Sequence, residues 1–189
     1  VEEAIEASLK RLGMDYVNLY LVHWPVKETY VSVWKKMEAV YKSGKAKAIG
    51  VSNYQTHHLA DLLEEAEIIP AVNQIECYPY LSQAATIQYC LERNIRPEAW
   101  GPLGAGKSDI LTNPVITEIA KKRGLTPAQV VLGWNLERGV IVIPKSIHKE
   151  RLTENLKCTD FELTDEDMTR ISALNKNLRL GADPDHFNF

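Results

Sequence analysis

Residues 140–155 read VIVIPKSIHKERLTEN. The apolar run Val140-Ile141-Val142-Ile143 predicts a buried strand. Pro144 ends it and releases Lys145 and Ser146, and a helix is expected from about Lys149. A cation and a hydroxyl at a strand tip beside a helix N-terminus suit a phosphate, because free N–H groups and the helix dipole both favour an anion there. Arg151 adds a planar fork that pairs with phosphate and stacks on a flat base. Glu154 and Asn155 follow three and four residues later, on the same helix face. The competing reading is a strand-to-helix loop with a solvated basic edge.

The same rhythm runs through the rest of the chain. Val1, Ile5, Leu9 and Leu12 mark one face of a first helix, stopped at Gly13. Val17 to Trp24 predicts a strand ending at Pro25, and Val33 to Tyr41 a helix stopped by Gly44. Ala46 to Val51 is the next strand and ends in Ser52-Asn53. Leu59 to Ala66 lines a helix, Ala71 to Cys77 is a strand, and Ile87 to Leu91 belongs to a helix. Ile95 to Trp100 is a strand leading into Gly101-Pro102-Leu103-Gly104. Two helices follow, opened by Asn113-Pro114 and by Thr126-Pro127-Ala128-Gln129. In the second, Thr126 is the N-cap and Gln129 closes a capping box. Thr164 to Asp167 caps a last helix, and Gly181 to Phe189 is an irregular tail.

Repeated strand–helix units predict an α/β fold, a parallel sheet with helices outside. The early strands recur at roughly 25–30 residues, as βα units of a barrel do. Five strands are counted where a closed (β/α)8 barrel has eight. No linker or composition shift interrupts the 189 residues, so a single domain is expected. The net charge of −3 argues against a general nucleic-acid or acidic-membrane surface. No apolar stretch is long enough to span a bilayer. Three widely spaced cysteines, Cys77, Cys90 and Cys158, form no metal pattern and point to a reduced, cytoplasmic setting. The chain enters a helix directly after Val1, with no signal peptide and no initiator Met, which reads as a fragment.

In parallel α/β proteins, function collects at the carboxyl ends of strands. Those ends carry His23-Trp24, Ser52-Asn53, Gln74 with Glu76, Trp100-Gly101 and Lys145-Ser146. The neutral polar groups can hydrogen-bond a carboxamide, Trp100 can stack on a flat ring, and Lys145 and Arg151 can hold phosphates. Taken singly each has a plain structural use, such as turn chemistry for Ser-Asn. Together they describe a dinucleotide laid across the strand tips. Two other motifs compete. Gly101 to Ser108 (GPLGAGKS) satisfies the P-loop pattern of an NTPase, but that needs a helix beginning at about Lys107-Ser108. Here Asp109 to Thr112 leads to a fresh helix start at Asn113-Pro114, and no apolar strand ends in a Walker-B-type Asp, so the NTPase is only a remote alternative. Tyr41-x-x-x-Lys45 has the acid–base spacing of short-chain dehydrogenases, but Gly44 interrupts it and no Gly-rich Rossmann opening exists. His57-His58 has no companion ligands at metal spacing and is read as surface; no metal is expected.

The chain resembles the aldo-keto reductase superfamily over nearly its whole length. The pieces that carry the resemblance are Leu9 to Pro25 (LKRLGMDYVNLYLVHWP), Gly44 to Asn53 (GKAKAIGVSN), Val72 to Glu76 (VNQIE), Ala99 to Gly104 (AWGPLG), Pro127 to Trp134 (PAQVVLGW) and Ile143 to Asn155 (IPKSIHKERLTEN). Trp100-Gly101 and the tail from Arg179 to Phe189 look most like the bacterial and protozoal branch, with its 2,5-diketo-gluconate reductases and prostaglandin F synthases. The resemblance implies the C-terminal portion of a (β/α)8 TIM barrel, monomeric in its full-length form, that reduces aldehydes and ketones with NADPH.

Carried over residue by residue, His23 is implied to orient the substrate carbonyl, with Trp24 lining the substrate site beside Val26 to Tyr30 and the tail. Ser52, Asn53 and Gln74 are implied to contact the carboxamide, and Trp100 to stack on the nicotinamide. Gly101, Leu103 and Ala105 would line the pyrophosphate. Lys145, Ser146, Ile147 and Arg151 would grip the 2′-phosphate, and Glu154 and Asn155 the adenine. The family's Tyr, Lys and Asp acid–base set falls on strands preceding those of this chain, so none of its residues carries that role. Without that set, the alternative is a non-catalytic NADP(H)-binding or regulatory fragment.

Overall fold

The computed structural model describes residues 1–187; positions 188 and 189, the end of the tail, lie outside the described residues. Five strands are present: β1 (Val17–Val22), β2 (Ala46–Ser52), β3 (Val72–Glu76), β4 (Arg96–Trp100) and β5 (Ile141–Val142). They alternate with α1 (Glu2–Leu12), α2 (Tyr30–Lys42), α3 (Thr56–Glu65), α4 (Ala84–Glu92), α5 (Pro114–Arg123), α6 (Pro127–Glu137), α7 (Lys149–Leu156) and α8 (Asp165–Ser172). The sheet order is β1-β2-β3-β4-β5, which is chain order throughout. β1 pairs β2 in parallel from Val17↔Ala46 to Val22↔Val51, β2 pairs β3 through Ser52↔Gln74, and β4 pairs β5 through Ala99↔Val142. Parallel neighbours need a crossover, and the intervening helices supply it. A parallel run in chain order is the pattern of part of a (β/α)8 barrel wall.

The chain divides into two compact units. The first comprises Val1–Gln74 and Gln88–Arg96. Its core gathers Ile5 and Leu9 from α1, Trp34, Met37 and Val40 from α2, Ile49 and Val51 from β2, and Leu59 and Leu62 from α3. Trp34 is anchored by its indole N–H, which donates to Ile68 O at 3.1 Å. The buried Glu38 carboxylate accepts from the backbone N–H groups of Glu67 and Ile68 at 2.8 and 2.9 Å. That bond pair satisfies the chain as it leaves α3, where no helical partner exists.

The second unit comprises Ile75–Ile87 and the chain from Pro97 onward. Ile116 and Ile119 of α5, Val131 and Trp134 of α6 and Ile171 of α8 are fully buried there. The Trp134 indole donates to Ser172 Oγ at 3.0 Å. Arg123, at the end of α5, donates through Nε to Asp167 Oδ2 of α8 at 2.5 Å.

Capping follows the sequence closely. Gly13 ends α1 at φ 65. Asn113 Oδ1 accepts from Val115 N, and Thr126 with Gln129 and Thr164 with Asp167 form complete capping boxes. All three cysteines are free and buried. No helix among the described residues is long and apolar enough to cross a membrane.

Two expectations are corrected, and a third is met. The apolar run at Val140 is a two-residue strand, with Val140 buried but Ile141 and Ile143 exposed to 40% and 44%. β5 pairs only with β4 among the described residues, and a strand paired on one side buries only part of its run. His58 is not at the surface: it is buried, and its Nδ1 accepts from Gln55 N at 3.1 Å to close the N-terminal cap of α3. As the fresh helix start at Asn113-Pro114 led one to expect, Gly101–Ser108 does not form a P-loop. Gly104–Gly106 is one 3-10 turn with Ala105 left-handed at φ 51, a second 3-10 turn covers Ile110–Thr112, and the next α-helix begins at Pro114. No helix N-terminus meets Lys107 and Ser108, so the NTPase alternative loses its phosphate cradle.

Candidate functional site

In the first unit the parallel register brings three strand tips together. Ser52 Oγ donates to Gln74 O at 2.9 Å, and Asn53 N–H donates to the same oxygen at 2.8 Å. Asn53 Nδ2 donates to Ser52 Oγ at 3.1 Å and to His23 O at 3.0 Å. Asn53 achieves this by adopting a left-handed conformation, φ 65, which a short amide side chain tolerates better than most residues. One hydrogen-bonded network therefore fixes His23, Ser52, Asn53 and Gln74. Ser52 and Asn53 are buried within it, whereas the His23 side chain is exposed. The His23 ring lies 6.1 Å from that of the half-buried Trp24, tilted by 57°. The backbone of His23 is held while its imidazole faces solvent.

Two clefts of the second unit hold most of the remaining expected residues. One, of about 440 Å³, is lined by Trp100, Gly101, Leu103, Ala105 and Lys145 among others. The other, of about 310 Å³, is lined by Lys145, Ser146, Arg151, Glu154 and Asn155, with Leu103 and Thr126. Leu103 and Lys145 line both, so the two clefts adjoin. This path runs from an aromatic ring, past a loop with consecutive left-handed residues Gly104, Ala105 and Gly106, to the first turns of α7.

That path carries two cations as well as the Glu154 carboxylate. Among the described residues neither Lys145 nor Arg151 makes an ion pair. Both are exposed beside the N-terminus of α7, whose N-cap His148 supplies no side-chain bond. Ser146 Oγ accepts from His148 N at 3.1 Å, which shapes the turn between β5 and α7. Two unpaired cations and a helix N-terminus converge where an anion gains from each.

Not every expected residue behaves alike. Ile147 is 81% exposed and lines neither cleft. Glu154 is already engaged: its Oε1 accepts from Thr126 Oγ1 at 2.6 Å, and its backbone oxygen accepts from Gln129 Nε2 at 3.2 Å. The cap of α6 thus doubles as a wall of the site. Sequence reasoning identified Thr126 as a cap and Glu154 as a site residue, but no local pattern links residues so far apart. Glu76, placed by sequence among the polar strand tips, is buried and binds the C-terminal tail.

The model of the Aldo/keto reductase family matches residues 1–176. A glyoxal reductase of Bacillus subtilis is 50% identical over 186 residues, covering 98% of this chain and 67% of the relative. A 9,11-endoperoxide prostaglandin H2 reductase of Trypanosoma cruzi is 46% identical over 185 residues, covering 97% and 65%. The chain therefore spans about two thirds of the length of the curated relatives it matches. The crystal structure of the silkworm Bombyx mori aldo-keto reductase AKR2E5 complexed with NADPH superposes with a TM-score of 0.89 at 38% identity, covering 94% of this chain and 60% of that one.

Proposed function

Because this chain belongs to the aldo/keto reductase family, we propose that it forms the cofactor-holding and carbonyl-orienting part of an NADPH-dependent reductase of aldehydes and ketones. Residues 1–189 are read as belonging to a single (β/α)8 domain. The observation that carries the reading is the second unit's paired cleft, with unpaired Lys145 and Arg151 at the head of α7 and Trp100 at the other end. This donor set fits a dinucleotide with an extra phosphate: two cations for the 2′-phosphate and an indole for the nicotinamide.

Lys145, Ser146 and Arg151 hold the 2′-phosphate, and Ile147 contributes by its backbone, since its side chain points outward. Glu154 and Asn155 border the adenine. Thr126 keeps the Glu154 carboxylate in place while its second oxygen remains available. Gly101, Leu103 and Ala105 line the pyrophosphate. Ser52, Asn53 and Gln74 fix the carboxamide end, and His23 orients the carbonyl beside Trp24. Bound NADPH supplies the hydride. The family's proton donor corresponds to no residue of this chain, so no proton transfer is assigned to His23. The substrate class is a small carbonyl compound, with glyoxal-type dicarbonyls as first candidates because a relative is named for glyoxal. Three unpaired buried cysteines support a reducing, cytoplasmic setting.

Titration of the protein with NADPH and NADH tests the reading. NADPH is expected to bind more tightly, and Arg151→Ala to weaken NADPH about tenfold to a hundredfold while leaving NADH unchanged, the loss of one charge-assisted contact. Equal affinity for the two cofactors in the unaltered protein would sink it. So would binding of ATP that is abolished by Lys107→Ala.

A further inference from the structure

Within the second unit, the C-terminal tail is strapped to the segment leaving β3 and is delivered to Trp100. Tyr80 O accepts from Lys176 N and Leu178 N, each at 3.0 Å. Tyr78 Oη donates to Leu178 O at 2.9 Å. The Glu76 carboxylate accepts from Leu180 N at 2.7 Å and from Gly181 N at 3.0 Å. As the tail ascends through Lys176, Leu178 and Leu180, its partners descend through Tyr80, Tyr78 and Glu76. The tail therefore runs antiparallel to this segment, held at Lys176, Leu178, Leu180 and Gly181.

The last point of attachment differs in kind from the others. Glu76 is only 1% exposed, and a carboxylate removed from water is costly unless it is hydrogen-bonded and paired. Two backbone N–H groups meet that need, and Arg179 Nη1 stands 4.0 Å away. Gly181 then packs against the indole. A Cβ built there would lie 2.6 Å from Trp100 Cη2, 3.2 Å from its Cζ2 and 3.2 Å from Glu76 Oε2. No side chain fits without moving the ring or the clamp. Trp100 is thus braced on its six-membered ring by the tail while it lines the 440 Å³ cleft.

We propose that Glu76 and Gly181 are positioning residues for the cofactor: by seating the tail against Trp100 they fix the tilt of the ring that stacks on the nicotinamide. This inference rests on the NADPH assignment above. It predicts a selective effect, because the clamp reaches the nicotinamide end of the path and not the adenine end.

The experiment compares two ligands by isothermal titration. One is NADPH; the other is adenosine 2′,5′-bisphosphate, which has the adenine and the 2′-phosphate but no nicotinamide. Gly181→Ala and Glu76→Gln are expected to weaken NADPH by about tenfold, or about 1.4 kcal/mol, and to leave the bisphosphate within about twofold. Glu76→Asp keeps a carboxylate for both N–H groups and is expected to recover part of the loss. Unchanged NADPH affinity in Gly181→Ala, or equal weakening of both ligands, would overturn the positioning role. Failure of the unaltered protein to bind the bisphosphate would instead overturn the cofactor assignment itself.

Discussion

At the scale of single residues, burial and chemistry sometimes part company, and Tyr54 shows it. Its side chain is fully buried beside Tyr30 and His58, with ring centroids at 5.8 and 5.9 Å. Its hydroxyl has no hydrogen-bond partner among the described residues, and burial pushes its pKa well up. A buried hydroxyl without a partner costs stability, and deleting it while keeping the ring removes that cost. Tyr54→Phe is therefore expected to leave stability unchanged or raise it by up to about 1 kcal/mol in chemical denaturation. A loss of more than that would show that the hydroxyl is engaged. The sequence could not reveal this, since an aromatic after Ser52-Asn53 looks alike whether or not its hydroxyl is satisfied. It hid His58 for the same reason. A histidine pair at a helix start reads as polar surface until the Gln55 N–H that Nδ1 serves is in view.

Elements were the most legible scale where their signals are local. Asn113, Thr126 and Thr164 are caps in the structure because each side chain reaches an N–H two or three residues ahead, a relation visible in sequence. What joins one element to another was not visible, and Asp167 carries both kinds of information. It closes the α8 capping box with Thr164, and it also pairs with Arg123 of α5, 44 residues away. Burial pushes the Asp167 carboxyl up, but hydrogen bonds from Thr164 and Arg123 outweigh it, leaving its pKa below the ordinary aspartate value. A depressed folded pKa means that this carboxylate stabilises the fold fully above about pH 4. That contribution is lost as pH falls through the lower, folded value. Asp167→Asn is expected to cost about 2 kcal/mol at pH 7, discounted because Arg123 is partly exposed. Thermal melts from pH 7 to pH 2 should show the variant and the parent converging at the acid end. A constant difference across that range would mean that the charge is irrelevant and that only shape was lost.

At the scale of the whole chain, each unit carries a strand with one partner among the described residues, β1 in the first and β5 in the second. Both lie among exposed apolar side chains. Leu12, Met14, Tyr16 and Leu19 accompany β1, and Ile141, Ile143, Leu152 and Leu156 accompany β5 and α7. The sequence marked these strands through their apolar content. It did not mark them as edges, because edge status depends on what pairs with them in space. An edge strand flanked by apolar surface is a template for pairing with another chain, and closing a barrel is one way to remove it. The 189-residue chain is therefore expected to self-associate, with larger species growing as concentration rises in sedimentation velocity. A charge placed on the edge should oppose pairing, so Ile141→Lys is expected to shift the distribution toward monomer without lowering the melting temperature, since Ile141 is already 40% exposed. A single monomeric species at every concentration would show that these edges are not available for pairing. Association left unchanged by Ile141→Lys, but reduced by Leu19→Lys, would locate the contact on β1 instead.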